Sequence, residues 1–233
     1  MTIRFVALVV LMSGAYVVCL YLYRKSRGFA LLHPVFTSPV LVGVALLLLS
    51  FPIDQFLIEM APFSWALDVA IVALAIPIYR TIDVVKQRAR QISWMLPVCS
   101  LVLVVLAVGP LVWLVDDEIW LSFVPKSTTT PVAYAVSEVI HGLPSLSVIS
   151  VAITGAFGAF IGPYMLDRMA IKDRFVRGFS LGLTSHAFAT AKLLESDTEQ
   201  ASYSALAMAL NALITAVWVP LVFSLVLFNT GQF

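Results

Sequence analysis

The chain has 233 residues, of which 61% are hydrophobic and only 12% charged, and its mean hydropathy is +1.00. A water-soluble domain carries about 25% charged and about 45–50% apolar residues, and a chain this short keeps too much surface to hide the excess in one core. A soluble enzyme and a disordered chain are excluded, and a net charge of +1 gives no electrostatic basis for binding nucleic acid. The composition is that of an all-α polytopic membrane protein whose first partner is the lipid bilayer.

A spanning helix needs roughly 20 apolar residues. In chain order, 3–23 is too long for the apolar core of a signal peptide, lacks a small-residue cleavage site, and reads as a retained leading helix within residues 1–30. Further clear stretches follow at 36–53, 94–115, 143–166 and 200–228. Two weaker ones are 62–80, with Asp68 and Pro77, and 174–194, with Arg177, His186 and Lys192. That makes about seven spanning helices. The segment 118–141 is long enough to cross but holds Lys126, Glu138, His141, two prolines and four consecutive hydroxyl residues. Cys19 and Cys99 lie in apolar runs and read as small hydrophobes; neither they nor His33, His141 and His186 form a metal-ligand spacing. No cofactor is expected, and no nucleophile–base pair points to an enzyme.

Basic short loops stay cytoplasmic, whereas acidic residues count for little. Arg24, Lys25 and Arg27 follow the first helix, Arg80, Lys86, Arg88 and Arg90 follow the third, and Arg168, Lys172, Arg174 and Arg177 form a third basic group. All three share one face only if the N-terminus is outside and 118–141 enters and leaves by the same face. The expectation is therefore a re-entrant hairpin at 118–141, with the C-terminus cytoplasmic. Non-helical backbone at membrane depth survives only where protein or a wet cavity surrounds it, which makes that segment the first place to look for a site.

A faint repeat accompanies this. Pro110-Leu111-Val112 matches Pro220-Leu221-Val222, Pro39-Val40-Leu41 matches Pro144-Ser145-Leu146, and an interrupted helix around Ala75-Ile76-Pro77 matches one around Ser185-His186-Ala187. One domain over 1–233, with inverted-repeat halves at 36–115 and 143–228, follows from that pattern.

The chemistry concentrates between Pro125 and Pro131. Prolines six apart break a helix on both sides, and between them lie Lys126, Ser127, Thr128, Thr129 and Thr130. An ammonium at membrane depth costs at least ~2.5–3.5 kcal/mol and so has a partner or a task. With four hydroxyls and the freed amides of a half-helix it suits a small anion. The bland alternative has Lys126 reaching to an interface while the hydroxyls cap backbone groups. Ser185, His186 and Thr190 sit in a second stretch of small and hydroxylated residues, where the imidazole could relay a proton, hold a carboxylate or bond a backbone carbonyl. Asn211, alone in an apolar helix, reads as interhelical glue or a substrate contact. Glu138 could pair with Lys126 or His141 across the hairpin.

Three stretches resemble the LrgB/CidB family: Val72–Arg80, the string Pro125-Lys126-Ser127-Thr128-Thr129-Thr130-Pro131-Val132-Ala133, and Ser185-His186-Ala187-Phe188-Ala189-Thr190-Ala191. Thr154–Ala159 and Leu206–Asn211 add to it. The chain departs from the family pattern at His141-Gly142, Ala189 and Asn211-Ala212, each of which loses a glycine. The resemblance implies holin/antiholin-like control of murein hydrolase export and autolysis, or transport of pyruvate, glycolate or glycerate. It also implies a small LrgA-like membrane partner and a bacterial plasma-membrane location; a homo-oligomer is expected. The expected function is secondary transport of small monocarboxylates, with the anion held at the proline-flanked break. An oligomeric regulator of murein hydrolase is the alternative.

Overall fold

The computed structural model describes residues 3–26, 32, 34–63, 65, 79 and 82–230. The expected interrupted helix at 62–80, with Asp68 and Pro77, lies almost wholly outside these residues, as do Arg80 and His33. Every element among the described residues is helical, as a chain with no water to satisfy its backbone requires.

The chain divides into two compact units, Met1–Val72 and Ala73–Phe233. In the first, α1 (Ile3–Lys25), α2 (Pro34–Leu48) and α3 (Ile53–Glu59) gather around Leu8, Leu46 and Met60. Arg24 and Lys25 close α1 at the end where cations suit the helix dipole.

The second unit holds α4 (Ile82–Gln87), α5 (Ala89–Val108), α6 (Asp117–Phe123), α7 (Thr130–Val139), α8 (Pro144–Arg168), α9 (Arg174–Ser196) and α10 (Thr198–Thr230). Among the described residues four stretches are long and apolar enough to cross a membrane: Ile3–Lys25, Ala89–Val108, Pro144–Arg168 and Thr198–Phe223. Their outward faces carry exposed residues such as Leu106, Phe157 and Val217, the surface that lipid rather than water covers. α2 is apolar but shorter, and α9 is not among the four.

Ion pairs and aromatic contacts set which helix ends meet. Arg88, ahead of α5, pairs with Asp173 at 3.6 Å and lies over the Phe175 ring at 4.4 Å. The start of α5 and the loop after α8 therefore share one end of the unit. α10 runs parallel to α5, with Ser100 against Thr215 at 3.4 Å and Trp218 Nε1 donating to Ser100 Oγ at 3.0 Å. At the far end, Trp120 stacks near Phe223 at 6.1 Å, over a cluster of Val104, Val108, Leu121, Val124, Val136, Ile140 and Val219.

Two segments fold back on themselves. At the far end, Leu143 N–H donates to Ser122 Oγ at 2.7 Å, and Ser147 Oγ donates to the Ser122 carbonyl at 2.7 Å. The chain between 122 and 143 thus leaves and returns to the same point, so α6 and α7 are arms of a hairpin. Neither arm, at 7 and 10 residues, could cross alone.

The second is α9. A straight helix of its 23 residues would hold its ends about 34 Å apart. Instead Arg174 pairs with Asp197 at 3.3 Å and with Glu199 at 2.6 Å. The reversal is at His186, whose φ of 39° and ψ of −126° interrupt the helix. Packing agrees: Gly178 lies against Gln200 and Gly182 against Ser204 on one arm, while Thr190 bonds Ser204 and Leu193 packs with Ala201 on the other. The expectation of a spanning helix at 174–194 is corrected accordingly. The interruption expected around Ser185-His186-Ala187 is present, but only the contact between the ends of α9 reveals that it is a reversal rather than a kink.

A second correction follows. Because α9 starts and finishes at the basic end, α10 begins there and runs to the opposite end. The C-terminal helix therefore ends away from Arg168, Lys172 and Arg174, not beside them as expected. The repeat partners also differ locally: Pro110 lies beyond the end of α5, whereas Pro220 is inside α10.

Candidate functional site

The two hairpins meet tip to tip. The α6–α7 hairpin turns through Val124–Thr129, which contains Pro125; Thr129 is extended (φ −77°, ψ 151°), and Pro131 lies in the first turn of α7. The α9 hairpin turns at His186. His186 Nε2 lies 3.2 Å from the Lys126 carbonyl oxygen, and Asn211 Nδ2 donates to the Ser127 carbonyl at 2.6 Å. Bonding to a carbonyl requires a proton on Nε2, so the imidazole is a clasp between the tips. This is the backbone-carbonyl option of the three weighed for it.

The meeting point is at mid-height. Gly155, about halfway along α8, is where an added Cβ would fall 3.0 Å from His186 Cε1 and 2.5 Å from Phe188 Cδ2. One turn on, a Cβ at Gly158 would collide with Ser185 Oγ. These two glycines let the turn of α9 press against α8. Asn211 is likewise near the centre of the apolar stretch Thr198–Phe223.

A non-glycine residue at positive φ costs about 1–3 kcal/mol and persists only where its surroundings impose it. Here the imidazole bonds Lys126, the His186 carbonyl accepts from Thr190 Oγ1 at 3.0 Å, and Thr190 also bonds Ser204 Oγ at 2.7 Å. Ser185 is fully buried and bonds Thr184 Oγ1 at 3.1 Å.

Polar satisfaction separates scaffold from candidate ligand contacts. The hydroxyls of Thr128 and Thr129 and the Asn211 Oδ1 are buried with no hydrogen-bond partner among the described residues, as is Ser137 Oγ beside Gly142 at the other end of the hairpin. Buried polar groups nearly always have one, so three orphans within one turn region stand out. Thr129 occupies the N-cap position of α7 yet does not cap it, although a threonine there ordinarily accepts from the first helical amides. Half-buried Lys126 donates to Ser127 Oγ at 3.3 Å and is in no ion pair among the described residues. Glu138 is exposed and does not pair with it. Thr130 opens α7 and is half-buried.

Lys126, Ser127, Thr128, Thr129, His186 and Asn211 are thus brought together, with Ser185 and Thr190 beneath the turn. Sequence reading did not single out Ser204, or Gly155 and Gly158 as packing positions; Ser204 follows Ser202 and Tyr203 in a polar helix start and so does not stand out as Asn211 does. No group of His, Cys, Asp and Glu suited to a metal occurs among the described residues.

A helical multi-pass chain with two broken hairpins joined at mid-height defines a class of membrane protein built around an internal polar site. Residues 13–225 match the LrgB-like family model, and the chain belongs to that family. It is 31% identical to the uncharacterized protein YxaC of Bacillus subtilis over 93% of this chain and 94% of that one. It is 29% identical to the antiholin-like protein LrgB of Bacillus cereus over 89% and 90%. An uncharacterized protein of Haemophilus influenzae is 29% identical over 91% and 98%. No solved structure matches.

Proposed function

We propose that the protein is a secondary transporter of small monocarboxylates, of the pyruvate, glycolate or glycerate class, with the carboxylate held at the break between Pro125 and Pro131. The observation that carries this reading is the pair of buried hydroxyls of Thr128 and Thr129, without a partner among the described residues, in the same turn as an ammonium that forms no ion pair among them. A carboxylate needs donors to offset its lost hydration, and this turn offers donors that the protein itself leaves unused. In this reading both hairpins are re-entrant. The α6–α7 hairpin enters from outside and α9 from the cytoplasm, because the end bearing Arg88, Arg90, Arg168, Lys172 and Arg174 is cytoplasmic by the charge rule. α10 then ends outside, in the plasma membrane of a bacterium. Each hairpin stands between the site and one face, the arrangement alternating access requires.

The test is initial uptake of labelled pyruvate, glycolate and glycerate into proteoliposomes, with this chain alone and with a small LrgA-like partner. Lys126→Ala is expected to abolish uptake at normal insertion. Wild-type uptake by that variant would mean the ammonium only reaches to an interface, and the anion site would have to be sought elsewhere.

A second reading, a holin/antiholin-like regulator of murein hydrolase export and autolysis, is favoured by the name of the Bacillus cereus relatives. Carboxylate-independent release of a trapped dye from the same vesicles, unaffected by Lys126→Ala, would support it over transport.

A further inference from the structure

Pro163 lies inside α8 and has no amide proton, so the carbonyl four residues earlier, that of Ala159, loses its helical partner. Lys192, on the returning arm of α9, takes that place: its Nζ donates to the Ala159 carbonyl at 3.1 Å and lies 4.4 Å from the centre of the Phe160 ring. The ammonium has three protons, and among the described residues it is in no ion pair. Glu195, one turn on, is exposed and acts on the Lys192 charge through space without forming an ion pair with it. Lys192 borders a cavity of about 160 Å³ between α8 and the two arms of α9, lined also by Leu181, Arg177 and Gln200 and by no carboxylate. Arg177 bonds Asp167 at 2.7 Å and the Ile171 carbonyl at 2.9 Å. It and Gln200 also line a wider cavity of about 490 Å³ at the basic end, with Lys172, Arg174, Asp167 and Asp197. Two neighbouring recesses thus share Arg177 and Gln200, and the inner one is lined by no carboxylate and by two cations, of which Arg177 is paired with Asp167 and Lys192 is in no ion pair among the described residues.

We infer that the cavity bounded by Lys192 and Arg177 is a second, shallower anion site, which takes a small carboxylate on the side of the basic loops. It does not require that the Lys126 break be a transport site. If that break is one, this recess is where the anion waits beneath the α9 hairpin. Lys192 then has two tasks in one position: it repairs the helix that Pro163 opens, and it leaves protons facing the cavity. The size of the cavity suits a free carboxylate better than a lipid headgroup with its glycerol and chains.

The test uses the full chain in a detergent with neutral headgroups, with Cys19→Ala and Cys99→Ala removing the native thiols and Ser196→Cys placing one at the rim. Ser196 lines the same cavity and is exposed. The modification rate is measured with a sulfonate-bearing and a trimethylammonium-bearing methanethiosulfonate. Local positive potential is expected to favour the anionic reagent roughly tenfold over its preference in the Lys192→Gln variant, and millimolar pyruvate or glycolate is expected to slow modification. Gln can still donate to the Ala159 carbonyl, so this variant removes charge while keeping the helix repair, and Lys192→Arg is expected to retain protection. Protection is expected to persist in Lys126→Ala, which separates this site from the break. Four results would overturn the inference: no reagent preference, no protection by either acid, protection unchanged in Lys192→Gln, or protection lost in Lys126→Ala. Protection by phosphatidylglycerol but by neither acid would assign the cavity to a lipid headgroup instead, and would also overturn it.

Discussion

A carboxylate entering a low-dielectric cleft must exchange its water for fixed donors, and the cost of each missing donor is felt separately. Thr128 and Thr129 each offer one hydroxyl that nothing in the described protein uses, whereas Ser127 already receives the Lys126 ammonium. Thr128→Val and Thr129→Val keep the side-chain shape while deleting the donor. Each is expected to weaken substrate binding by about 1–2 kcal/mol, read as the half-saturating concentration for uptake, with the maximal rate less affected. An unchanged affinity in both variants would show that these hydroxyls do not meet the anion. Lys126 differs in kind because it supplies charge, so its removal is expected to end uptake rather than weaken it. Asn211 spends its amide protons on the Ser127 carbonyl and keeps a free acceptor. Its first role is to hold the tip of the α6–α7 hairpin against α10.

Each hairpin is closed at its base and pinned at its tip, by different means. For α9 the base is polar: Asp173 accepts from Val176 N–H, Asp197 accepts from Glu199 and Gln200 N–H, and Arg174 bridges to Asp197. Donation from the Gln200 side chain and then from its backbone, with the positive charge of Arg174, holds the Asp197 carboxyl below its ordinary 3.8. Its contribution is therefore present above that ordinary value and fades only as acid titrates it through the lower, folded-state one. At the tip, contact depends on what α8 lacks. Gly158→Val would set a branched side chain on Ser185 Oγ, and overpacking of this kind costs about 1–3 kcal/mol. A lower thermal midpoint in detergent and reduced uptake are expected, with partial recovery in the double variant Gly158→Val, Ser185→Gly. Full stability in the single variant would mean that α9 does not press on α8 at this level.

At the scale of the whole molecule, the two hairpins decide topology. On the proposed reading α5, α8 and α10 cross, while 117–142 and 174–196, whose ends the structure brings together, each return to the face they left. Lys172→Cys and Thr198→Cys are accordingly expected to label from the same face, the cytoplasmic one. Asp117→Cys and Ser145→Cys are expected to label only from outside, each in a cysteine-free background with membrane-impermeant reagent on intact cells and inverted vesicles. Labelling of positions 172 and 198 from opposite faces would restore α9 as a spanning helix and return the C-terminus to the cytoplasm. Labelling of 117 and 145 from opposite faces would do the same for the α6–α7 segment.

Composition alone made this a helical membrane protein, because an apolar chain without water must satisfy its backbone within helices or a closed barrel, and long unbroken apolar runs select helices. The Pro125–Pro131 break was legible because two prolines and a cation are costly at depth, and a costly residue stands out against an apolar background. The family was legible for the same reason, since its motifs are these same polar interruptions. The interruption around Ser185-His186-Ala187 was legible too, but not that the chain reverses there. No proline or glycine stands at the break itself, so local pattern suggests a kink in a crossing helix rather than a return. The reversal is imposed by long-range contacts: Gly155 and Gly158 admit the turn, the Lys126 carbonyl fixes the imidazole, and Arg174 reaches Asp197 and Glu199 across the base. Charge counting with α9 as a crossing helix put the C-terminus on the face of the basic loops, and the acidic side chains after α9 carry too little topological weight to oppose it. Local propensity acts over a few residues, whereas the direction of α9 and α10 depends on partners tens of residues away, and those only the folded chain brings together.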